Sequence, residues 1–205
     1  MAKTAACSII GQTYATGSGN FGAYETTGNK YAGANSSNIY AYILQFETGA
    51  FSGKSEKLEL NLSVKTMYHA DLDLRYALAT SDENKNSYRS TFNAVSDPNQ
   101  IATGSFDMTG LSNGAYSVRT LSIDTADLKP NTTYYLFLWG PDRNCGTNLD
   151  VTANHSGVLY YKSAGSYITA NVDGDAVKCE VYANAAGNAV KCEVYANVDG
   201  NAVKC

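Results

Sequence analysis

Few residues of this chain have the type and spacing that chemistry needs. Gly17-Ser18-Gly19-Asn20-Phe21-Gly22 spells G-x-G-x-x-G, which cradles a dinucleotide pyrophosphate only between a buried strand and a helix N-terminus. The adjoining AYETTGNKYAG has no helical pattern, so the match reads as loop glycines. Gly110-Leu111-Ser112-Asn113-Gly114 spells G-x-S-x-G, but a nucleophile elbow needs a helix next and a histidine partner. The next segment, AYSVRTLSID, is strand-like, and the only two histidines are His69 and His155. Asp71 and Asp73 share one face of an alternating segment, where a solvated strand explains them better than paired glycosidase carboxyls. Oxygens of Asp82, Glu83 or Asp97 are the place for a structural Ca²⁺, if one is held; no other cofactor is expected. Sugar binding asks for exposed aromatic platforms beside hydrogen-bonding groups. Tyr24, Tyr31, Tyr88, Tyr116, Trp139, Asp142, Arg143 and Asn144 are the candidates, and of these Tyr116, Trp139, Asp142, Arg143 and Asn144 form the proposed set. Trp139 belongs either to the rim or to the core. Tyrosines at subunit contacts are the competing explanation.

The elements that must position these residues are strands. The 205-residue chain is 44% hydrophobic, with 16 Tyr, 18 Gly and only 3 Pro, a β-rich composition with polar turns. Ile39–Phe46 is one strand signal. Leu58, Leu60, Leu62 and Val64 alternate with polar residues, as do Leu72, Leu74, Tyr76 and Leu78; Leu121 and Ile123 come next in SVRTLSID. Thr133–Trp139, TYYLFLW, is apolar at both parities and reads as a central strand; Gly157–Tyr161 is the last. A short helix fits around 84–93, and residues 1–38 read as irregular loops and short edge strands joining the domain. The pattern predicts an all-β fold, an antiparallel jelly-roll β-sandwich over 39–166.

A small β-meander of 13-residue repeats closes the chain. Cys179, Cys192 and Cys205 recur every 13 residues, giving units 167–179, 180–192 and 193–205. Alternation puts Ile168, Val177, Cys179, Val181, Val190, Cys192, Val194, Val203 and Cys205 on one apolar face, with Lys178, Glu180 and Tyr182 on the other. An even loop pairs Cys179 with Cys192; a three-residue loop swaps the faces; a coil of stacked turns is the third option. A sheet this small cannot cover an apolar side alone, so the face is expected to be an assembly surface against other copies. The cysteines read as small buried thiols rather than disulfides or metal ligands.

A net charge of −4 without a basic cluster argues against a nucleic-acid partner. No apolar run is long enough to span a membrane. The N-terminal MAKTAACSIIGQTYATG lacks a secretory signal pattern, so synthesis in a cytoplasm is expected.

The runs ILQFETGAF–SGKSEKLELNLSVK, LDLRYALATSD, LSIDTADLKPNTTYYLFLWG and HSGVLYYK resemble the galactose-binding-like jelly rolls of carbohydrate-binding modules. The closing VYANVDGNAVKC is similar to short C-terminal repeats of phage structural and tail proteins. The resemblance covers residues 39–205. It implies a non-enzymatic virion component (tail fibre, decoration or receptor-binding protein) displayed on the particle and touching a host surface glycan. Its implied partners are other virion proteins and its own copies, a trimer by analogy with fibres and spikes. A carbohydrate-binding adhesin module not tied to a virion is the alternative; a depolymerase is the third.

Overall fold

A computed structural model describes residues 2–34, 38–67, 73–125, 127–142, 145, 147–150, 155–163, 167–172, 175–180, 195–198 and 201–204, with residues 147, 148, 150 and those from 167 onward as backbone alone. The chain forms two compact units, Met1–Lys162 and Ser163–Cys205.

The first unit is an all-β, antiparallel sandwich. Its strands are β1 (Lys3–Thr16), β2 (Asn29–Ala34), β3 (Ile39–Thr48), β4 (Gly53–Thr66), β5 (Leu74–Ala79), β6 (Gln100–Phe106), β7 (Ser117–Asp124), β8 (Thr133–Trp139), β9 (Thr147–Asp150) and β10 (Ser156–Ser163), with a single helical turn, α1 (Lys85–Tyr88). One layer runs β1-β3-β8-β5-β6 and the other β1-β10-β4-β7, while β2 and β9 bridge β3 to β4. Apart from the paired β5 and β6, the connections from β3 to β8 cross between layers, as in a jelly roll. The inner core takes one parity from each strand: Leu44 and Phe46 of β3, Leu58, Leu60 and Leu62 of β4, Leu121 and Ile123 of β7, and Leu136 and Leu138 of β8.

β8 is buried on both sides, as the run TYYLFLW predicts. Its odd residues Phe137 and Trp139 enter a second core with Ala41, Ile43, Ala77, Ala79 and Tyr88, on the outer side of the five-stranded layer. The connection between β5 and β6 covers that side. α1 sets Tyr88 flat on Phe137, ring centroids 4.0 Å apart, and edge-on to Trp139 at 5.1 Å.

The expectation of an irregular N-terminus is corrected. β1 is one of the two longest strands and belongs to both layers, pairing β10 through Lys3–Cys7 and β3 through Cys7–Thr16. A β-bulge at Ile10 interrupts the register: Ile9 faces Phe46, and Gly11 faces Gln45. One extra residue reverses which parity points inward. Before it, Ala5, Cys7 and Ile9 face the inner core. After it, Gln12 sits opposite Leu44 and Tyr14 opposite Tyr42, whereas Thr13 and Ala15 join the outer side opposite Ile43 and Ala41. The phase break hides β1 from a period-two reading. β6 escapes notice for another reason: QIATGSF carries a glycine, and three of its residues are exposed.

In the second unit two hairpins are described. β11 (Tyr167–Val172) pairs β12 (Asp175–Glu180), with Ile168 opposite Cys179 and Ala170 opposite Val177. β13 (Tyr195–Val198) pairs β14 (Asn201–Lys204), with Ala196 opposite Val203. Both leave an even, two-residue Asp-Gly connection, and the two registers are related by the repeat. The expected pairing of Cys179 with Cys192, and the positions Val181, Val190, Cys192, Val194 and Cys205, lie outside the described residues.

The bulge makes a prediction. Inserting one residue after Gln12 turns residues 13–16 onto the wrong faces and should cost more than about 4 kcal/mol, abolishing cooperative unfolding in urea, whereas deleting Ile10 only straightens the strand, because Gly11 stays opposite Gln45. Ile10→Ala, at a side chain 38% exposed, should cost less than about 1 kcal/mol.

Candidate functional site

Of the residues singled out for sugar contact, Trp139 and Tyr88 are taken up by the outer core. Trp139 is core: it is 2% exposed, and its indole Nε1 donates to the Asn93 carbonyl at 3.2 Å. Its role as a stacking platform is therefore corrected. Tyr88 is likewise buried, donating to Asp97 Oδ2 at 3.1 Å and accepting from Gln100 Nε2 at 2.8 Å. Tyr24 donates to Asp82 Oδ2 at 2.8 Å and packs against the outer core. Tyr116 is half-buried beside β4, with the Lys65 ammonium 4.7 Å from its ring centroid. Asp142 is exposed just beyond β8, its carbonyl accepting from Cys145 Sγ. Arg143 and Asn144 lie outside the described residues, as do His69 and Asp71. Asp73 accepts from the Met108 amide at 3.2 Å, and His155 Nδ1 accepts from the Ser63 amide at 3.3 Å.

The carboxylates considered for calcium are taken by protein donors. Asp97 Oδ1 accepts from Asn84 Nδ2 and the Asn99 amide, both at 2.9 Å. Glu83 accepts from Asn99 Nδ2 at 2.8 Å. Asp82 Oδ2 accepts from Lys85 Nζ at 2.7 Å as well as from Tyr24. Among the described residues no three acidic, histidine or cysteine side chains gather as a metal set. These bonds instead hold the β5–β6 connection over the outer core. Burial alone would raise the Asp82 carboxyl, but the hydrogen bonds from Lys85 and Tyr24 and the Lys85 charge outweigh it and hold the group below 3.8. Burial pushes the Cys7 thiol up to about 11 and the Cys145 thiol up as well, so neither is set up as a nucleophile.

A cleft lies in the stretch that the sequence reads as irregular loops and short edge strands. Beyond the bulge β1 keeps β3 on one side and loses β10 on the other, so Thr13–Thr16 border a cleft of about 300 Å³ against residues 19–25, with Lys30 at its edge. The hydrogen-bond phase decides what faces it. Gln12 exchanges both backbone bonds with Glu25, at 2.8 and 2.9 Å, and the Thr16 carbonyl accepts from the Gly19 amide at 3.0 Å. Both residues thus turn their backbone groups away from β3. Alternation in an antiparallel ladder then turns the Tyr14 N–H and C=O the same way, onto the cleft. The bridge to Glu25 is antiparallel, which sets Ala23 on the side of Tyr14, but no backbone hydrogen bond joins the loop to Tyr14.

Aromatic and charged groups complete the wall. Tyr14, half-buried, meets Tyr31 edge-on at 5.3 Å, and Tyr31 lies 5.9 Å from Tyr40. Lys30 is joined to Glu25 by an ion pair. Gln12 is fully buried; its Nε2 donates to the Gly28 carbonyl at 2.9 Å, so the turn carrying Glu25 is tied to β1 twice. Gly28 has φ +83°, where a side chain would be strained. None of the described aromatic and polar candidates read from the sequence lines the cleft, and Tyr31 only touches its Tyr14. A signal was nonetheless present: Glu25 and Lys30 are the only charged residues between Gly17 and Asn38.

No protein-family model and no curated protein matches the chain. Among solved structures it is similar to a family 35 carbohydrate-binding module from Clostridium thermocellum, 12% identical, covering 77% of this chain and 98% of that one, with a TM-score of 0.37. It is also similar to the K3 cleaved adhesin domain of Lys-gingipain from Porphyromonas gingivalis, 12% identical, covering 76% and 99%, with a TM-score of 0.35. Similarity at this level decides neither fold nor function, which rest on the strands and side chains of this chain.

Asp82 supplies a pH test. A carboxyl held low in the folded state contributes stability that is complete above its unfolded value, near 3.8, and is lost as pH falls through the lower folded value. Asp82→Asn should therefore lower stability at neutral pH, and the gap from wild type should close between about pH 5 and about pH 2. Parallel curves in urea titrations across that range would contradict it.

Proposed function

We propose that the chain is a non-catalytic recognition module whose cleft along β1 binds a glycan. The observation that carries this is the open strand edge at Tyr14: a backbone donor and acceptor side by side, next to a half-buried tyrosine and the Glu25–Lys30 pair. A sugar presents hydroxyls, each both donor and acceptor, around an apolar ring face, and such a wall answers both features. The volume suits a small ligand or the end of a longer one. Nothing at the cleft pairs a nucleophile with a base, which is why binding rather than turnover is the reading.

Gly22 gives a clean test, because a Cβ placed there would meet only Thr13 Oγ1, at 4.0 Å, while the residue borders the cleft. Gly22→Leu should fill the space, leave thermal unfolding within about 0.5 kcal/mol of wild type, and abolish binding on a glycan array. Array binding that survives the substitution would place the ligand elsewhere.

A second reading, that the module is displayed on a virion as a homo-oligomer, is supported by the 13-residue repeat and by the shared register of its two described hairpins. Alternation along Ile168, Val177, Cys179 and Val203 offers an apolar face for copies to share. Native mass in reductant should then report a multiple of 21.9 kDa that falls to one copy when residues 163–205 are removed; a monomeric full-length chain would rule this out.

A further inference from the structure

We infer that the cleft selects an uncharged sugar by a pair of neighbouring hydroxyls, with Glu25 and Lys30 as the specificity residues. The inference rests on the glycan reading and adds the class of ligand. Among the described residues, Lys30 and Glu25 are the only charged ones that line the cleft, and their charges cancel. The Lys30 side chain is only 12% exposed and is joined to Glu25, whose own side chain is 56% exposed. An ammonium only donates hydrogen bonds and a carboxylate only accepts them. A vicinal diol satisfies both at once, one hydroxyl donating to Glu25 and its neighbour accepting from Lys30. Tyr14, with its backbone N–H and C=O at the open edge, offers the same donor–acceptor combination a short distance away.

A sugar carboxylate fits this wall poorly. It can only accept, so it must compete with Glu25 for Lys30 while lying next to a like charge in a partly desolvated site. The pair is also fixed before any ligand arrives. Glu25 is held by two backbone bonds to Gln12, and the Gln12 amide holds the Gly28 carbonyl. Specificity thus comes from a balanced charge pair set on a turn that is tied to β1.

The test compares wild type, Glu25→Gln, Lys30→Gln and Gly22→Leu against neutral and uronic-acid oligosaccharides of equal length, first on an array and then by calorimetry. Wild type should bind neutral members at least about tenfold more tightly than uronates. Glu25→Gln leaves the Lys30 charge uncompensated, so the preference should shift toward uronates by at least about tenfold. Lys30→Gln should weaken neutral binding without gaining uronates. Binding of neutral members by wild type should change little with salt, a readout that holds even if a variant fails to fold. A uronate preference in wild type, an unchanged preference in folded Glu25→Gln, or steep salt dependence would overturn the inference and leave the cleft standing as a glycan site. If no glycan of either class binds, the glycan reading itself falls, and if binding survives Gly22→Leu the ligand sits outside the cleft; either result takes this inference with it.

Discussion

One extra residue in β1 organises the sandwich. The bulge at Ile10 lets a single strand face the inner core with Ala5, Cys7 and Ile9 and then, with its parity reversed, set Gln12 opposite Leu44. Because side chains alternate strictly, no continuous strand could present Ala5, Cys7 and Ile9 to the interior and then place Gln12 and Tyr14 there too. β10 begins at Ser156 and pairs β1 no further than Cys7, which leaves the later part of β1 without it on the edge that borders the cleft.

The outer core explains why the middle layer is so apolar. β8 packs Leu136 and Leu138 inward and Phe137 and Trp139 outward, so the five-stranded layer needs covering on both sides. The β5–β6 connection supplies the cover through Tyr88, and its polar residues are occupied in holding it down: Asp97 against Tyr88, Asn84 and Asn99, Asp82 against Tyr24 and Lys85. A cluster of carboxylates in a loop can look like a cation site in sequence and be a set of acceptors for the chain's own donors. Buried polar groups find partners, and here the partners come from within the chain.

Strands with an unbroken period were legible. The alternation from Leu58 to Val64 and the run TYYLFLW correspond to β4 and β8, because burial on one face or on two leaves distinct patterns. β1 was not legible, since its pattern changes phase at Ile10, and β6 was not, since an exposed edge needs no apolar alternation. Trp139 could not be placed from residue type: its burial depends on the cover reached through Asn93, 46 residues away. The cleft was half-visible, as two opposite charges in an otherwise uncharged stretch, but nothing in the sequence says that Tyr14 turns its backbone toward them.

The central claim is that the edge of β1 is open at Tyr14. Amide hydrogen exchange on the free protein measures this directly. Thr13 and Ala15, bonded into the β3 ladder, should exchange slowly, while the Tyr14 amide between them exchanges at least about a hundredfold faster. Equal protection of all three would show the edge to be paired, and the cleft would then lack the donor and acceptor on which recognition depends.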